Sequence, residues 1–257
     1  MSDPMKAMIL AAGLGTRLRP LTDDRPKALV TVAGRTMLEI ALARLRSFGV
    51  GEVIVNTHHF AEKISEYLAA KANFGMHIEI SHEEELLDTG GGLKKAAWFF
   101  LDDKRPEDPG LAPFILHNVD VISMIDLARM AEFHSEQKAL ATIAVMDRET
   151  SRYLLFVGKG LLCGRRKGRE GEPEMARAAR NVRALAFCGI HVISPRIFSL
   201  MTEAGAFSIV DAYLRLAAQG EKIAGFQADG AYWRDLGKPE NIKQAAREIE
   251  SGAYSGS

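Results

Sequence analysis

The sequence predicts an α/β protein with a three-layer α/β/α build and a mostly parallel central sheet. Short apolar runs at 6–10, 52–56, 77–81 and 113–120 are separated by stretches whose apolar residues recur at helical spacing. Strands that alternate with helices make a largely parallel sheet covered on both faces. The 257 residues are 47% apolar, enough for one large domain with a substantial core.

The chain opens on its most informative stretch. Ala7-Met8-Ile9-Leu10 reads as a buried strand and runs straight into Ala11-Ala12-Gly13-Leu14-Gly15-Thr16, small residues that leave the backbone bare. Gly13 and Gly15 can take positive φ and let main-chain N–H groups face an anion. Arg17 and Arg19 follow at once, and Pro26-Lys27 adds a third cation. Together they describe a cradle for a polyphosphate, with a base or sugar along the turn. It is neither a Walker loop, which needs Gly-Lys-Ser/Thr, nor a dinucleotide fingerprint, because Leu18 stands where the third glycine belongs.

Residues 31–35 form a turn, and Thr36 is placed to cap a helix that carries Met37, Ile40, Ala41, Leu45 and Phe48 at its buried spacing. A strand at 52–56, a helix at 60–72 and a strand at 77–81 follow. Ligands of such sheets sit at the carboxyl ends of the strands, where the first loop also lies. His58-His59 reads as a loop or helix start, since neighbours in sequence rarely point at one ion. His82-Glu83-Glu84-Glu85 is informative for its place at a strand end more than for its charge. Gly90-Gly91-Gly92 reads as a binding loop ahead of a helix that begins with Lys94 and Lys95, for which a phosphate contact and a solvated face stay equally open.

A charged loop at 104–110 leads to the apolar strand 113–120, which ends in Asp120. A carboxylate at the carboxyl end of a central parallel strand suits Mg²⁺, and hard oxygen donors beside phosphate favour magnesium over a zinc site at His117. A helix at 124–137 and a strand at 140–146 come next, then a hairpin of 153–157 with 161–163 around Gly158-Lys159-Gly160. The basic, glycine-rich segment 164–173 is expected as an exposed loop reaching over the site; it lacks the interleaved aromatics of a nucleic-acid surface. A strand at 184–193, a helix through Ala218, a strand at 223–226 and a helix at 240–249 complete the domain, with flexible ends at 1–4 and 251–257. Cys163 and Cys188 read as reduced core residues. Lysine plus arginine equals aspartate plus glutamate at 33 each, so no global field favours nucleic acid or an anionic membrane. No apolar run reaches the length of a membrane span and no signal peptide opens the chain, which points to the cytoplasm.

Leu10-Ala-Ala-Gly-x-Gly-Thr-Arg-Leu-x-Pro-Leu-Thr, with Arg25-Pro26-Lys27-Ala28-Leu29-Val30, resembles the signature of the sugar-1-phosphate nucleotidyltransferases. The resemblance implies a Rossmann-like fold, Mg²⁺ as cofactor, and transfer of a nucleotidyl group from a nucleoside triphosphate to a sugar 1-phosphate. It implies nucleotide contacts at Leu10, Ala11, Ala12, Gly13, Gly15, Thr16, Arg17 and Lys27, with Arg17 and Lys27 on the phosphates. The Asp88-Thr-Gly-Gly-Gly segment resembles one that lines the nucleotide pocket in a short branch of the family, which adds Gly90 and Gly91. Asn118-Val119-Asp120 resembles the family's Asn-Gly-Asp, implying Asp120 as a metal ligand and Asn118 on the sugar, although Val119 replaces the usual glycine. Phe187-Cys-Gly-Ile resembles a segment that meets the sugar, implying Gly189. Trp233-Arg-Asp235-Leu-Gly resembles the segment that supplies the second metal ligand, Asp235, for which capping of the next helix is the competing role. Arg17, Lys27 and Asp120 are the catalytic set so implied.

No Glu-Lys-Pro precedes the strand at 184–193, so the residue on the sugar phosphate is unassigned. The nucleotide half is expected at 5–120 and the sugar half at 121–250. The short chain looks closest to N-acetylmuramate-1-phosphate uridylyltransferases and mannose- or heptose-1-phosphate guanylyltransferases, which favours UTP or GTP. A phosphocholine cytidylyltransferase and a non-catalytic nucleotide-sugar sensor are the alternatives, and a monomer and a dimer both stay open.

Overall fold

The computed structural model describes residues 5–101, 104–108 and 111–254. The expected loose ends at 1–4 and 255–257, and the last two residues of the loop at 104–110, lie outside the described residues.

The elements in chain order are β1 (Ala7–Leu10), a hairpin of β2 (Thr31–Val32) and β3 (Arg35–Thr36), α1 (Met37–Ser47), β4 (Glu52–Thr57), α2 (Ala61–Ala70) and β5 (His77–His82). Next come α3 (Asp88–Lys95), α4 (Ala97–Leu101), β6 (Phe114–Asn118), β7 (Val121–Ser123), α5 (Leu127–Gln137), β8 (Ala141–Met146), β9 (Arg152–Val157), β10 (Leu161–Lys167) and β11 (Pro173–Met175). The chain closes with β12 (Arg183–Ile193), α6 (Ile197–Leu200), α7 (Ile209–Ala218), β13 (Ile223–Gln227), β14 (Trp233–Asp235) and α8 (Pro239–Glu250). Thr36 caps α1 as its sequence suggests, its hydroxyl accepting from Glu39 N–H at 3.0 Å.

Ten strands form one mixed sheet in the order β11-β10-β13-β8-β12-β6-β1-β4-β5, with β9 bridging β10 and β12. The parallel pairings are β6-β1-β4-β5 and β8-β13, while β12 runs antiparallel to both β6 and β8. The alternation along β1 explains the layers. Ala7 and Ile9 face a core with α1, α2 and α8, and Met8 faces the opposite core with α3, α6 and α7. β1 is flanked on both sides, and its carboxyl end delivers Leu10 beside Asn56 of β4 and Asn118 of β6.

Two expectations are corrected here. The segment 164–173 is not a loop: Gly164 to Lys167 continue β10, and β11 pairs antiparallel with it through Gly164–Met175 and Arg166–Pro173. A glycine with its Cβ position occupied by the Glu174 carbonyl, at 2.5 Å, lets the two strands close at Gly164. The end of the chain is also not frayed through residue 254, because Tyr254 is 6% exposed and packs on Tyr232 with ring centroids 5.5 Å apart. A buried aromatic offsets the entropy of ordering that segment.

Three histidines are built into the core uncharged. Burial pushes His117 and His134 down to about 4, and burial together with the nearby His117 pushes His191 down to about 3. Each engages its Nδ1, with the Asn118 carbonyl, the Thr142 hydroxyl and the Tyr213 hydroxyl respectively. Unfolded, each would take a proton near pH 6.5, so between that pH and the folded values the unfolded chain binds more protons and stability falls as pH falls. The contribution is complete above pH 7 and is lost by up to about 1.4 kcal/mol per pH unit for each histidine. Urea midpoints at pH 7, 6 and 5 are expected to fall less steeply in H134Q than in the parent chain.

Candidate active site

The site is assembled at the carboxyl ends of β1 and β6. Gly15 sits at φ 66° and opens the short 3₁₀ turn Thr16–Leu18. The Thr22 hydroxyl donates to its carbonyl at 3.0 Å, and a Cβ at this glycine would lie 3.0 and 3.1 Å from Thr22 Cγ2 and Lys27 Cβ. Gly15 therefore lets the turn fold down onto the segment that carries Lys27. Gly13 does not use the left-handed freedom open to it. It is absent from the left-handed region, and a Cβ there would meet nothing within 4 Å, so it leaves an open approach rather than a tight turn.

The two acids come together through a feature that sequence spacing does not reveal. β7 begins directly after Asp120, and β14 ends at Asp235. The two strands pair antiparallel with Asp235 opposite Val121, and Leu236 N–H donates to the Asp120 carbonyl at 2.8 Å. Lys27 donates to the Asp120 carboxylate in a half-buried ion pair. The Asp235 carboxylate accepts from Gly237 N–H at 2.6 Å, a local turn that leaves α8 to start without a side-chain cap. A Cβ at Gly237 would come 2.9 Å from Arg17 Nη2, so the guanidinium packs against this turn. Arg17, Lys27, Asp120 and Asp235, drawn from three separate stretches of the chain, thus meet in one place. Among the described residues no three His, Cys, Asp or Glu side chains cluster as a metal cage. Two carboxylates are nonetheless hard oxygen donors of the kind that suits magnesium.

On the β4 and β5 side, Ala11 N–H donates to Asn56 Oδ1 at 2.7 Å, and Asn56 Nδ2 donates to Glu83 Oε1 at 2.6 Å. Glu83 Oε2 accepts from Leu87 N–H at 2.9 Å. Glu83 is 0% exposed. This chain of bonds ties the glycine turn to the segment before α3, and sequence reasoning passed over Glu83 as one of three glutamates. Its signal was position: it alone directly follows the last residue of β5. A carboxylate offers two acceptors and no donor, so Glu83→Gln forces an N–H against an N–H. E83Q is expected to cost about 2 kcal/mol, read as a lower denaturant midpoint at unchanged m-value.

Gly90, Gly91 and Gly92 are not a loop but lie inside α3, all buried. A Cβ at Gly90 would overlap the Phe207 ring, at Gly91 it would reach the Gly205 carbonyl at 2.5 Å, and at Gly92 the Glu83 carboxylate at 2.6 Å. Gly90 N–H donates to the Phe207 carbonyl at 2.9 Å. Close packing thus explains the three glycines, and Thr89 is the residue this segment presents to the cleft. Lys94 and Lys95 turn away, donating to the Glu203 and His82 carbonyls.

The opposite wall is formed by β12 and the β9–β11 strands. Gly189 has φ 76° at the break in register between β12 and β8, where a Cβ would meet Val121 Cγ2 at 2.6 Å and Asn118 Nδ2 at 3.1 Å. Asn118 and Gly189 therefore face each other. Val119 turns the other way and is buried in the core, with its N–H on the Leu10 carbonyl at 3.2 Å, so its extra bulk is spent away from the cleft. Arg148 lies 3.8 Å over the Trp233 ring and donates to the Phe187 carbonyl at 2.7 Å. Trp233 in turn donates to the Cys188 carbonyl at 2.8 Å. Burial pushes the Cys188 thiol up to about 12, in keeping with a structural residue.

These walls enclose a cleft of about 1050 Å³ that includes Arg17, Thr89, Asn118, Asp120, Gly189 and Asp235. Leu10, Ala11, Ala12, Gly13, Gly15, Thr16, Lys27, Gly90 and Gly91 do not line this space; of these, Gly13 and Thr16 are exposed. Residues 6–157 match the family model described as nucleotidyl transferase. The chain belongs to the nucleotidyl transferase family. Among its relatives, the N-acetylmuramate alpha-1-phosphate uridylyltransferase of Caulobacter vibrioides is 33% identical over 92% of this chain and 93% of its own length. The mannose-1-phosphate guanyltransferase of Yarrowia lipolytica is 32% identical over 93% of this chain, which spans 62% of that longer protein. Among solved structures, HddC from Yersinia pseudotuberculosis complexed with GMP-PN superposes with a TM-score of 0.72, covering 95% of this chain and 99% of that one at 23% identity. That likeness establishes the Rossmann-like α/β fold. The nucleotidyl transferase fold here carries no helix long and apolar enough to cross a membrane among the described residues.

Proposed function

We propose that this nucleotidyltransferase moves the nucleotidyl group of UTP or GTP onto a sugar 1-phosphate, with Mg²⁺ held by Asp120 and Asp235. The observation that carries the reading is the meeting of those two carboxylates with Arg17 and Lys27 at the mouth of a cleft large enough for both substrates. The nucleotide would occupy the half built from 5–120, along the open backbone of Gly13 and beside Thr89. The sugar would occupy the half built from 121–250, between Asn118 and Gly189.

Attack by a sugar-phosphate oxygen on the α-phosphorus of the triphosphate expels pyrophosphate. The nucleophile is already an anion, so the site needs no general base, and none of the neutral buried histidines is asked to act as one. Catalysis rests on alignment and charge neutralisation. Magnesium, when bound, supplies electrostatic neutralisation of the phosphate oxygens. Lys27 orients Asp120 and reaches the same oxygens from the turn side, and Arg17, packed on Gly237, meets the leaving phosphates. Release of pyrophosphate with Mg²⁺, tested for UTP, GTP, CTP and dTTP against a panel of sugar 1-phosphates and phosphocholine, checks the reading. A productive sugar pair names both substrates; turnover of phosphocholine with CTP, or nucleotide binding with no turnover at all, would overturn it.

A further inference from the structure

Resting on that reading, the bonds of one buried carboxylate deepen it on the nucleotide side. Among the described residues Glu83 is the only aspartate, glutamate, lysine or arginine that is buried, and no cation pairs with it. Burying an unpaired charge is costly, and hydrogen bonds to both of its oxygens are the least it requires. Donor and acceptor roles here leave no freedom. Ala11 N–H can only donate, so Asn56 must turn Oδ1 to it, which leaves Nδ2 for Glu83. Leu87 N–H can also only donate, so both Glu83 oxygens accept. An amide at 83 fails in either orientation.

These bonds hold the two segments beside which the nucleotide would lie. The Leu10 carbonyl is held on the β6 side by Val119 N–H, and Ala11 N–H is held on the β4 side by Asn56. The backbone leaving β1 is thus pinned from both sides just before Gly13. The other Glu83 oxygen holds Leu87, which precedes α3 and stands two positions before the cleft residue Thr89. A Cβ at Gly92 would come 2.6 Å from Glu83 Oε1 and 2.8 Å from Asn56 Nδ2, so α3 itself packs on the central hydrogen bond. Asn56 and Glu83 do not line the cleft. Any effect they have on a nucleotide passes through the glycine turn and α3.

We propose that Asn56 and Glu83 are positioning residues for the nucleotide, fixing the spacing between the glycine turn and the start of α3. Exchanging their two head groups tests this. N56D/E83Q moves the carboxylate from 83 to 56 and keeps every bond: the new carboxylate accepts from Ala11 N–H and from the amide at 83, whose oxygen takes Leu87 N–H. E83Q alone sets N–H against N–H, and N56D alone sets two carboxylates against each other. Binding of UTP and GTP is measured by calorimetry, at a temperature where circular dichroism shows each variant folded. Affinity for the nucleotide that the parent protein binds is expected to fall about 10-fold or more in each single variant and to return to within about threefold of the parent in N56D/E83Q. E83D, which keeps the charge but draws it back by one methylene, is the milder variant and should weaken binding by about threefold or more. The KM for the productive sugar 1-phosphate should stay within about twofold throughout, which a general loosening of the fold would not allow. Unchanged nucleotide affinity in the folded single variants and E83D would make the pair structural only. A double exchange that folds but does not restore affinity, or an equal rise in KM for the sugar phosphate, would also overturn the inference. Nucleotide affinity needs no turnover, so silence across the sugar phosphates would count against nucleotidyl transfer and leave this test standing. A parent protein that binds neither UTP nor GTP would remove both.

Discussion

Asp120→Asn and Asp235→Asn are each expected to lower turnover by at least about a thousandfold, the range seen when a charge-stabilising group is taken from a water-poor site. Asparagine keeps the size and one oxygen acceptor of each side chain. At 235 that oxygen can still take the Gly237 N–H bond, and at 120 the backbone bond from Leu236 does not involve the side chain. The ribbon of β7 and β14 should therefore persist, and in Asp235→Asn the melting temperature should move little, whereas Asp120→Asn also leaves Lys27 without its carboxylate partner. What disappears is negative charge, and with it the hold on a divalent cation. Pyrophosphate release measured across a Mg²⁺ titration checks this directly. Ordinary Mg²⁺-dependent rates in either variant would remove that residue from the metal site.

Lys27→Met is expected to reduce turnover by about 10²- to 10³-fold. Methionine preserves the apolar stem that packs beneath Gly15 but removes the only cation paired with Asp120 among the described residues. Forward synthesis and the reverse reaction with pyrophosphate should fall together, because the lysine serves the transition state common to both. A drop in only one direction would mark Lys27 as a ligand for one substrate instead. Retention of both rates within a few fold would reject it as catalytic.

Much of this site was legible because its chemistry is written locally. The glycine turn, Arg17, Pro26-Lys27 and the acids at the ends of β6 and β14 each announce themselves within a few residues, and the largely parallel α/β build follows from apolar runs alternating with helical spacing. What stayed hidden depends on contacts between distant segments. Gly90 to Gly92 look the same in sequence whether they make a loop or a helix, and only Phe207, Gly205 and Glu83 pressing on them decide in favour of the helix. Glu83 was indistinguishable in sequence from Glu84 and Glu85, since its buried bonds to Asn56 and Leu87 arise from the parallel pairing of β4 with β5. Residues 164–173 read as polar loop because an edge hairpin over a cleft needs no apolar alternation. Tyr254 lay in a segment of small residues, and its burial against Tyr232 required the fold to be known.

The pairing of β7 with β14 also fixes when the protein can become competent during its synthesis. Asp120 and the whole glycine turn leave the ribosome long before Asp235, at the usual pace of about 5–20 residues per second. Until β14 arrives, β7 has no partner and the first carboxylate stands without the second. A nascent or prematurely terminated chain can have β1, β4, β5 and β6 in place and still lack Asp235, the second of the two carboxylates. If Asp120 and Asp235 act together as proposed, competence arrives late in translation, and a fragment that stops short of residue 235 is expected not to consume nucleotide triphosphates by this route.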